Sequence, residues 1–439
     1  MNIMAGFKYP IPTKQFIHGE FEKCGQLMWK YAELIEKNGE QLGYMESILV
    51  DKPAMFGGFY EPKTAADLFR YFAGFCDKHT GECMPEDGGF LRIVRNEPLG
   101  ICAAINAFNS PIITFAMKAA PALAAGNVMI SKASEMNPFS SLILASLAIE
   151  AGIPPGVLDV LVGAVEAGAA LSSHMKIRKI SFTGSVTVGK KIQTAATNSN
   201  LKRVTLELEG KSPVVVFDDA DLADAIEQGS RFLMINGQGC VLGTRIYVQE
   251  PIVDAYLVGL KKAVEGYASS LGSDPFSMST MSSPLYHTRQ KESVMRSLEQ
   301  GKKEAEVITG GGSWGDRGCF VEPTIFFKPA DNAEIVKKEI FGPVVVIDTF
   351  KTEEEVLRKA NDTEYGLGAS VYTKDWDQAL RVATKLEAGT VTVNNSMPFH
   401  PSMPFGGYKS SGIGRENGKY VLSEYSQTKS VIVKYLPTA

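Results

Sequence analysis

At 439 residues, with 44% hydrophobic and 21% charged side chains, the chain has room for two or three domains with sizeable cores. A formal net charge of −4, with Lys and Arg scattered along the sequence, argues against nucleic acid or a membrane surface as partner. The six cysteines, Cys24, Cys76, Cys83, Cys102, Cys240 and Cys319, follow neither disulfide nor metal-ligand spacing, so a reducing, cytoplasmic setting and no metal centre are expected. The first twenty residues lack an apolar signal core, and the C-terminal Leu-Pro-Thr-Ala matches no lipidation or peroxisomal signal. The most apolar stretch, 99–130, is interrupted by Asn106, Asn109, Pro111, Lys118 and Pro121, so no membrane span is expected.

Residues 22–50 place Leu27, Met28, Tyr31, Leu34, Ile35, Leu42 and Met45 on one helical face, and a second helix is expected over 64–75. Turn-forming residues crowd 79–89, and 90–95 alternates as a strand, an excursion outside the main core. From residue 99 onward, apolar runs at 99–105, 128–131, 158–162 and 179–184 alternate with helices, two of which begin at Pro111 and Pro138. That rhythm predicts βαβ units, a parallel sheet with helices on both faces.

The turn at 182–189 sets Gly184, Ser185 and Gly189 where a helix N-terminus can receive a phosphate. It lacks the G-x-G-x-x-G spacing, so a plain tight turn is the other reading. Lys132 and Glu135 follow an apolar strand, at the end where open α/β sheets bind ligands; their spacing suits ribose hydroxyls or a solvated ion pair. A second α/β section runs over 212–404. Within it Cys240 stands in a glycine-rich turn between a helix expected over 221–235 and a strand over 245–249. Gly237, Gly239 and Gly243 tolerate positive φ and close approach of a substrate, and a junction loop can offer backbone N–H groups to a thiolate; simple packing is the alternative role. Helices near 251–269, 286–303 and 353–360 and a strand at 344–350 follow. The glycine-rich block 404–415 then gives way to an alternating strand at 430–435, either a connection or an edge that pairs with another subunit.

Separated segments in a fixed order carry a resemblance: Phe-Asn-Ser-Pro at Asn109, Ser-Lys-Ala-Ser-Glu at Lys132, Phe-Thr-Gly-Ser at Gly184, Leu-Glu-Leu-Glu-Gly-Lys at Glu207, Gly-Gln-Gly-Cys at Cys240, Glu-Ile-Phe-Gly-Pro at Glu339 and Pro-Phe-Gly-Gly-Tyr-Lys at Phe405. From residue 21 to the C-terminus the chain resembles the aldehyde dehydrogenase superfamily. The wording over 357–395 is most similar to fungal members, which suggests fungal secondary metabolism. The resemblance implies an α/β fold with a Rossmann-like NAD-binding domain (1–78 and 97–208), an α/β catalytic domain (209–419) and a small β oligomerisation flap (79–96 and 420–439), assembled as a dimer or tetramer.

It further implies NAD-dependent oxidation of an aldehyde to a carboxylic acid. Cys240 would attack the aldehyde, the Asn109 amide and the Cys240 backbone N–H would hold the oxyanion, and Glu207 would activate the water that hydrolyses the thioester. Lys132 and Glu135 would bind the adenosine ribose, the turn of Gly184, Ser185 and Gly189 the pyrophosphate, and Glu339 with Phe341 the nicotinamide ribose side. Glu135 would repel a 2′-phosphate, which favours NAD over NADP. Lys118 would be a proton-relay group or a surface lysine, while Thr114, Met117, Phe399 and Phe405 match a substrate tunnel for an apolar or aromatic aldehyde.

Three departures from the family pattern stand out. Roughly fifty residues that members carry before the Leu27 helix are missing, which would leave a sheet edge and apolar helix faces uncovered. Glu209 replaces a glycine, and is expected to crowd the tunnel or repel Glu207. Leu242 replaces a small residue just after the nucleophile. The competing reading is a degenerate member that binds NAD or a partner without turnover; an NAD-independent thiol enzyme is a third.

Overall fold

The computed structural model describes residues 21–396 and 399–435; the expectations for the first twenty residues and the C-terminal tetrapeptide lie outside the described residues. The single helical pattern at 22–50 resolves into α1 (Phe21–Lys37) and α2 (Gly39–Val50), which part at Asn38. A π-helical turn, Phe56–Tyr60, leads into α3 (Glu61–Ala73). Tyr31, Ile35, Phe69 and Phe72 are fully buried and join the core around α4 (Pro111–Ala124). Burying each such side chain stabilises the fold by roughly 1.5–3 kcal/mol.

The turn-rich stretch at 79–89 contains a strand that the sequence pattern did not reveal. β1 (Glu82–Asp87) pairs antiparallel with β2 (Phe90–Pro98), the partner's ladder compensating for β1's exposed, mixed sequence. Next, β3 (Ile101–Ile105), β4 (Val128–Ala133), β5 (Leu158–Val162), β6 (Ile177–Thr183) and β7 (Arg203–Glu207) run parallel. They are linked by α4, α5 (Phe139–Ala151), α6 (Val165–Ser173) and α7 (Val186–Ser199). Every residue of β4 is buried, as a strand covered on both faces requires. The order β7-β6-β3-β4-β5 reverses direction beside β3, which sets at the carboxyl ends of the strands the switch point, the crevice position where open α/β sheets bind ligands.

The second sheet holds β8 (Ser212–Val216), β9 (Gly243–Gln249), β10 (Glu306–Thr309), β11 (Thr324–Phe327), β12 (Val344–Phe350), β13 (Gly368–Tyr372) and β14 (Thr390–Val393) in the order β10-β11-β12-β9-β8-β13-β14. Only β10 runs antiparallel to its neighbour. The chain thus has the α/β architecture of a Rossmann-like sheet joined to a second, catalytic α/β layer. The glycine-rich block returns to the first sheet, where β15 (Gly412–Ile413) pairs antiparallel with β7. Finally β16 (Ser426–Lys434) zips along the whole of β2, completing a three-stranded sheet with β1.

Among the described residues β5 is an edge strand, and Trp29, Phe139, Ile149 and Val162 around it are exposed. No described helix is long and apolar enough to cross a membrane.

Candidate active site

The segment before Cys240 is not the continuous helix expected over 221–235. Asp221 caps α8 (Leu222–Gly229) by accepting from the N–H groups of Ala223 and Asp224, and α8 ends at Gly229. A 3-10 turn follows, in which Ile235 (φ 45°) and Asn236 (φ 53°) take left-handed backbone. A β-branched residue there costs on the order of 1–3 kcal/mol, and such strain gathers at functional sites. Gly237 continues the turn at φ 74°, and a Cβ on it would run into the Gly342 backbone, so only glycine fits. Gly239 and Gly243 do not use positive φ, and Leu242 is buried against Gly239.

Cys240 emerges from this turn onto the wall of an apolar cavity of about 190 Å³, whose lining also includes Asn109, Glu207, Thr114, Met117 and Glu416. Phe399, Phe405 and Leu242 close parts of the same wall. Burial pushes the Cys240 thiol well up, and the charges of Glu207 and Glu339 push the same way. Asn109, in the loop after β3, donates from Nδ2 to the Gln238 carbonyl at 2.7 Å and so is tied to the turn two residues before the cysteine.

Glu207 ends β7. Its Oε1 has no hydrogen-bond partner, and burial first, then the charge of Glu416, hold its carboxyl well above the usual carboxylate range. Lys118 is not a surface lysine. It is fully buried on α4, with Nζ 2.9 Å from Glu416 Oε1 and 2.6 Å from Thr183 Oγ1. Glu416 also accepts from the Ser181 hydroxyl at 2.9 Å. Sequence reasoning missed Glu416, an acidic residue just beyond the glycine-rich block; its position after Gly414 and Arg415 was the available signal.

Glu209 behaves otherwise than expected. Its carboxylate turns to the crevice, where Oε1 accepts from the Val186 N–H at 3.0 Å and Oε2 from the Tyr365 hydroxyl at 2.8 Å. The carboxylate that perturbs Glu207 is therefore Glu416, reached from the far end of the chain. Between the two glutamates' neighbourhoods, Gly210 lies so close to Cys240 that a Cβ would strike the cysteine's carbonyl. The Gly210 N–H donates to Glu339 Oε1 at 3.0 Å, while burial pushes the Glu339 carboxyl up to about 8 and the charge of Glu209 adds to the rise.

The remaining candidates follow the crevice along the carboxyl edge of the first sheet. Lys132, buried at the end of β4, donates to the Ala133 carbonyl at 3.0 Å and to Glu135 Oε2 at 3.3 Å; the Glu135 side chain is 46% exposed. The Gly184 N–H donates to the Glu207 carbonyl at 3.0 Å, locking the turn to the end of β7. Ser185 caps α7 by accepting from Val188, and Gly189 packs on Leu208. Phe341 (φ 54°) stands edge-on to Phe108, which stacks on Tyr286 at 3.5 Å. This aromatic group was not anticipated, since Phe108 and Tyr286 are far apart in sequence.

A family model described as the aldehyde dehydrogenase family matches residues 14–431. The chain is 43% identical to retinaldehyde dehydrogenase 3 of Rattus norvegicus over 413 residues, 93% of this chain and 80% of that protein. It is 45% identical to aldehyde dehydrogenase 1A1 of Gallus gallus over 415 residues, 93% of this chain and 81% of that one. Among solved structures, the NAD+ complex of aldehyde dehydrogenase from Bacillus cereus superposes with a TM-score of 0.92 at 37% identity, covering 97% of this chain and 86% of the other.

Proposed function

This chain belongs to the aldehyde dehydrogenase family, and we propose that it oxidises an aldehyde to a carboxylic acid with NAD, through a covalent adduct on Cys240. The observation that carries the reading is the convergence of Cys240, Glu207 and Asn109, from three separate segments, on one apolar cavity.

The residues along the crevice fit a dinucleotide. A buried lysine beside an exposed carboxylate suits the adenosine ribose, the N-terminus of α7 suits the pyrophosphate, and buried Glu339 with Phe341 suits the nicotinamide end. The exposed Glu135 carboxylate favours NAD over its 2′-phosphorylated form. NAD, when bound, accepts the hydride.

The chain's own groups do the rest. Cys240, as thiolate, bonds through its sulfur to the aldehyde carbon, and the oxyanion takes hydrogen bonds from the Cys240 N–H and from the second N–H of Asn109 Nδ2, the first being held by the Gln238 carbonyl. Loss of hydride leaves a thioester. Glu207 then takes a proton from water as the water oxygen attacks, and the carbon–sulfur bond breaks to release the acid. With its Oε1 free of partners and its carboxyl raised by burial, Glu207 suits that base. Glu416 and Lys118 lead the proton away from Glu207.

The substrate is an elongated apolar aldehyde. The catalytic cavity shares Phe56, Tyr60, Arg231, Met234 and Ile235 with an outer groove of about 1510 Å³, where Tyr44, Met55, Phe59 and Met281 are exposed. The protein works in the cytoplasm as a dimer or tetramer, joined through the three-stranded sheet of 79–96 and 420–439, whose β16 is an edge strand among the described residues. Residues 1–78 with 97–208 bind the cofactor, and 209–419 carry the nucleophile.

The test is NADH absorbance with a panel of aldehydes of increasing length. Turnover that strengthens with apolar chain length and vanishes in Cys240→Ala is expected. A folded protein that binds NAD and oxidises no aldehyde would overturn the reading in favour of a degenerate member.

A further inference from the structure

The head of α7 is an anion cradle. The helix is 14 residues long, its first N–H groups are unpaired within the helix, and the hydroxyl of Ser185 caps it. In this chain the cradle already holds an anion, because Glu209 Oε1 accepts from the Val186 N–H at 3.0 Å. Its other oxygen is fixed by the Tyr365 hydroxyl at 2.8 Å, so the carboxylate is held from two sides. Both contacts lie in the crevice between the Gly184 turn and Glu339.

We propose that Glu209 is a resident competitor for the cofactor's pyrophosphate: its carboxylate occupies the Val186 amide and must be displaced before the dinucleotide can dock on α7. The inference rests on the NAD-dependent reading above and adds to it a residue that sets cofactor affinity. Three considerations support it. An amide N–H donates to one strong acceptor at a time, so carboxylate and phosphate exclude each other at Val186. Two anions brought together beside Glu339 repel in a partly buried crevice. Lastly, burial pushes the Glu339 carboxyl up to about 8 and the charge of Glu209 adds to the rise, so the two carboxyl groups sense each other across the crevice.

Nothing in the backbone asks for this residue. Glu209 is absent from the positive-φ positions, so alanine fits without strain.

The experiment is calorimetric titration of NAD into the wild type, Glu209→Ala and Glu209→Gln, with steady-state KM values for NAD and aldehyde alongside. The Kd for NAD is expected to fall about tenfold in Glu209→Ala, in line with the strength of a charge at a helix end. Glu209→Gln, which keeps the bulk and loses the charge, should recover most of that gain. KM for NAD should follow Kd, while KM for the aldehyde stays put. A Kd unchanged or weakened in both variants overturns the proposal and marks Glu209 as structural. A gain in Glu209→Ala that Glu209→Gln does not share traces to bulk or to a hydrogen bond that the amide oxygen keeps with Val186, and overturns the charged carboxylate as the competitor. Tighter NAD binding without aldehyde turnover in any form would sustain the proposal and sink the catalytic reading, whereas no NAD binding in any form would sink both.

Discussion

The cavity around Cys240 and the crevice at the head of α7 are joined by three residues of chain, Glu207 to Glu209, and they treat a carboxylate in opposite ways. In the cavity Glu207 is buried, one of its oxygens has no partner, and its carboxyl is pushed up by burial and by Glu416. In the crevice Glu209 takes a hydrogen bond on each oxygen, from Val186 and Tyr365. A base is made by withholding donors from an acid, and an anion site by supplying them. β7 ends at Glu207, so strand alternation, which would set i and i+2 on one face, no longer governs Glu209; its bonds to Val186 and Tyr365 turn it into the crevice, away from Glu207.

The largest effect is expected at Cys240, the proposed nucleophile. Cys240→Ser should lower aldehyde-dependent NADH formation by about four orders of magnitude or more, measured by single-turnover and steady-state absorbance. Glu207→Gln should cost roughly 10²–10⁴-fold in steady-state rate and retain a rapid first turnover, because the thioester forms and then waits. In the wild type the acidic limb of the pH–rate profile should lie above the usual carboxylate range: Glu207 must be ionised to act, and its raised pKa leaves it protonated as pH falls.

Stability sharpens the same contrast. Lys118→Met would leave Glu416 buried without its cation, and a loss of about 3–5 kcal/mol is expected by denaturant unfolding. A change within 1 kcal/mol would deny that the buried pair is charged. Smaller still is the effect on thiol reactivity. Iodoacetamide should label Cys240 slowly at neutral pH and faster as pH rises, since burial and two carboxylates push the thiol up. Removing one of those charges in Glu207→Gln lowers the thiol's pKa, so labelling at a fixed pH should quicken several-fold, as peptide mass spectrometry would report.

Much of this was legible in the chain before any coordinates. The apolar runs at 99–105, 128–131, 158–162 and 179–184 alternate with helices, and that rhythm alone calls for the parallel sheet. Cys240, Asn109 and Glu207 each sit in a compact local motif, so they could be named without knowing that they meet. Glu416 could not, because its role depends on β15 folding back against β7 and carrying it to Lys118. Tyr365 was equally hidden: it matters only because it closes on Glu209 from 156 residues away. Local pattern also failed where geometry is irregular. The breaks at Asn38 (φ −100°) and at the left-handed Ile235–Asn236 interrupt runs that read as continuous helices, since apolar spacing does not record a local departure from helical backbone. β1 was lost among turn residues because its stability comes from β2 and not from its own composition.

The flank beside β5, an edge strand among the described residues, exposes several large apolar side chains. Exposed Trp29, Phe139 and Ile149 should favour association at high concentration, and Ile149→Lys should reduce light scattering with little effect on turnover.

The proposed covalent intermediate on Cys240, resolved by Glu207, is tested most directly by mass spectrometry of Glu207→Gln quenched soon after mixing with NAD and an apolar aldehyde. A mass gain equal to the acyl group, confined to the peptide that carries Cys240, is the result expected. Turnover by the wild type with no adduct trapped in this variant, or an adduct on another residue, would contradict it.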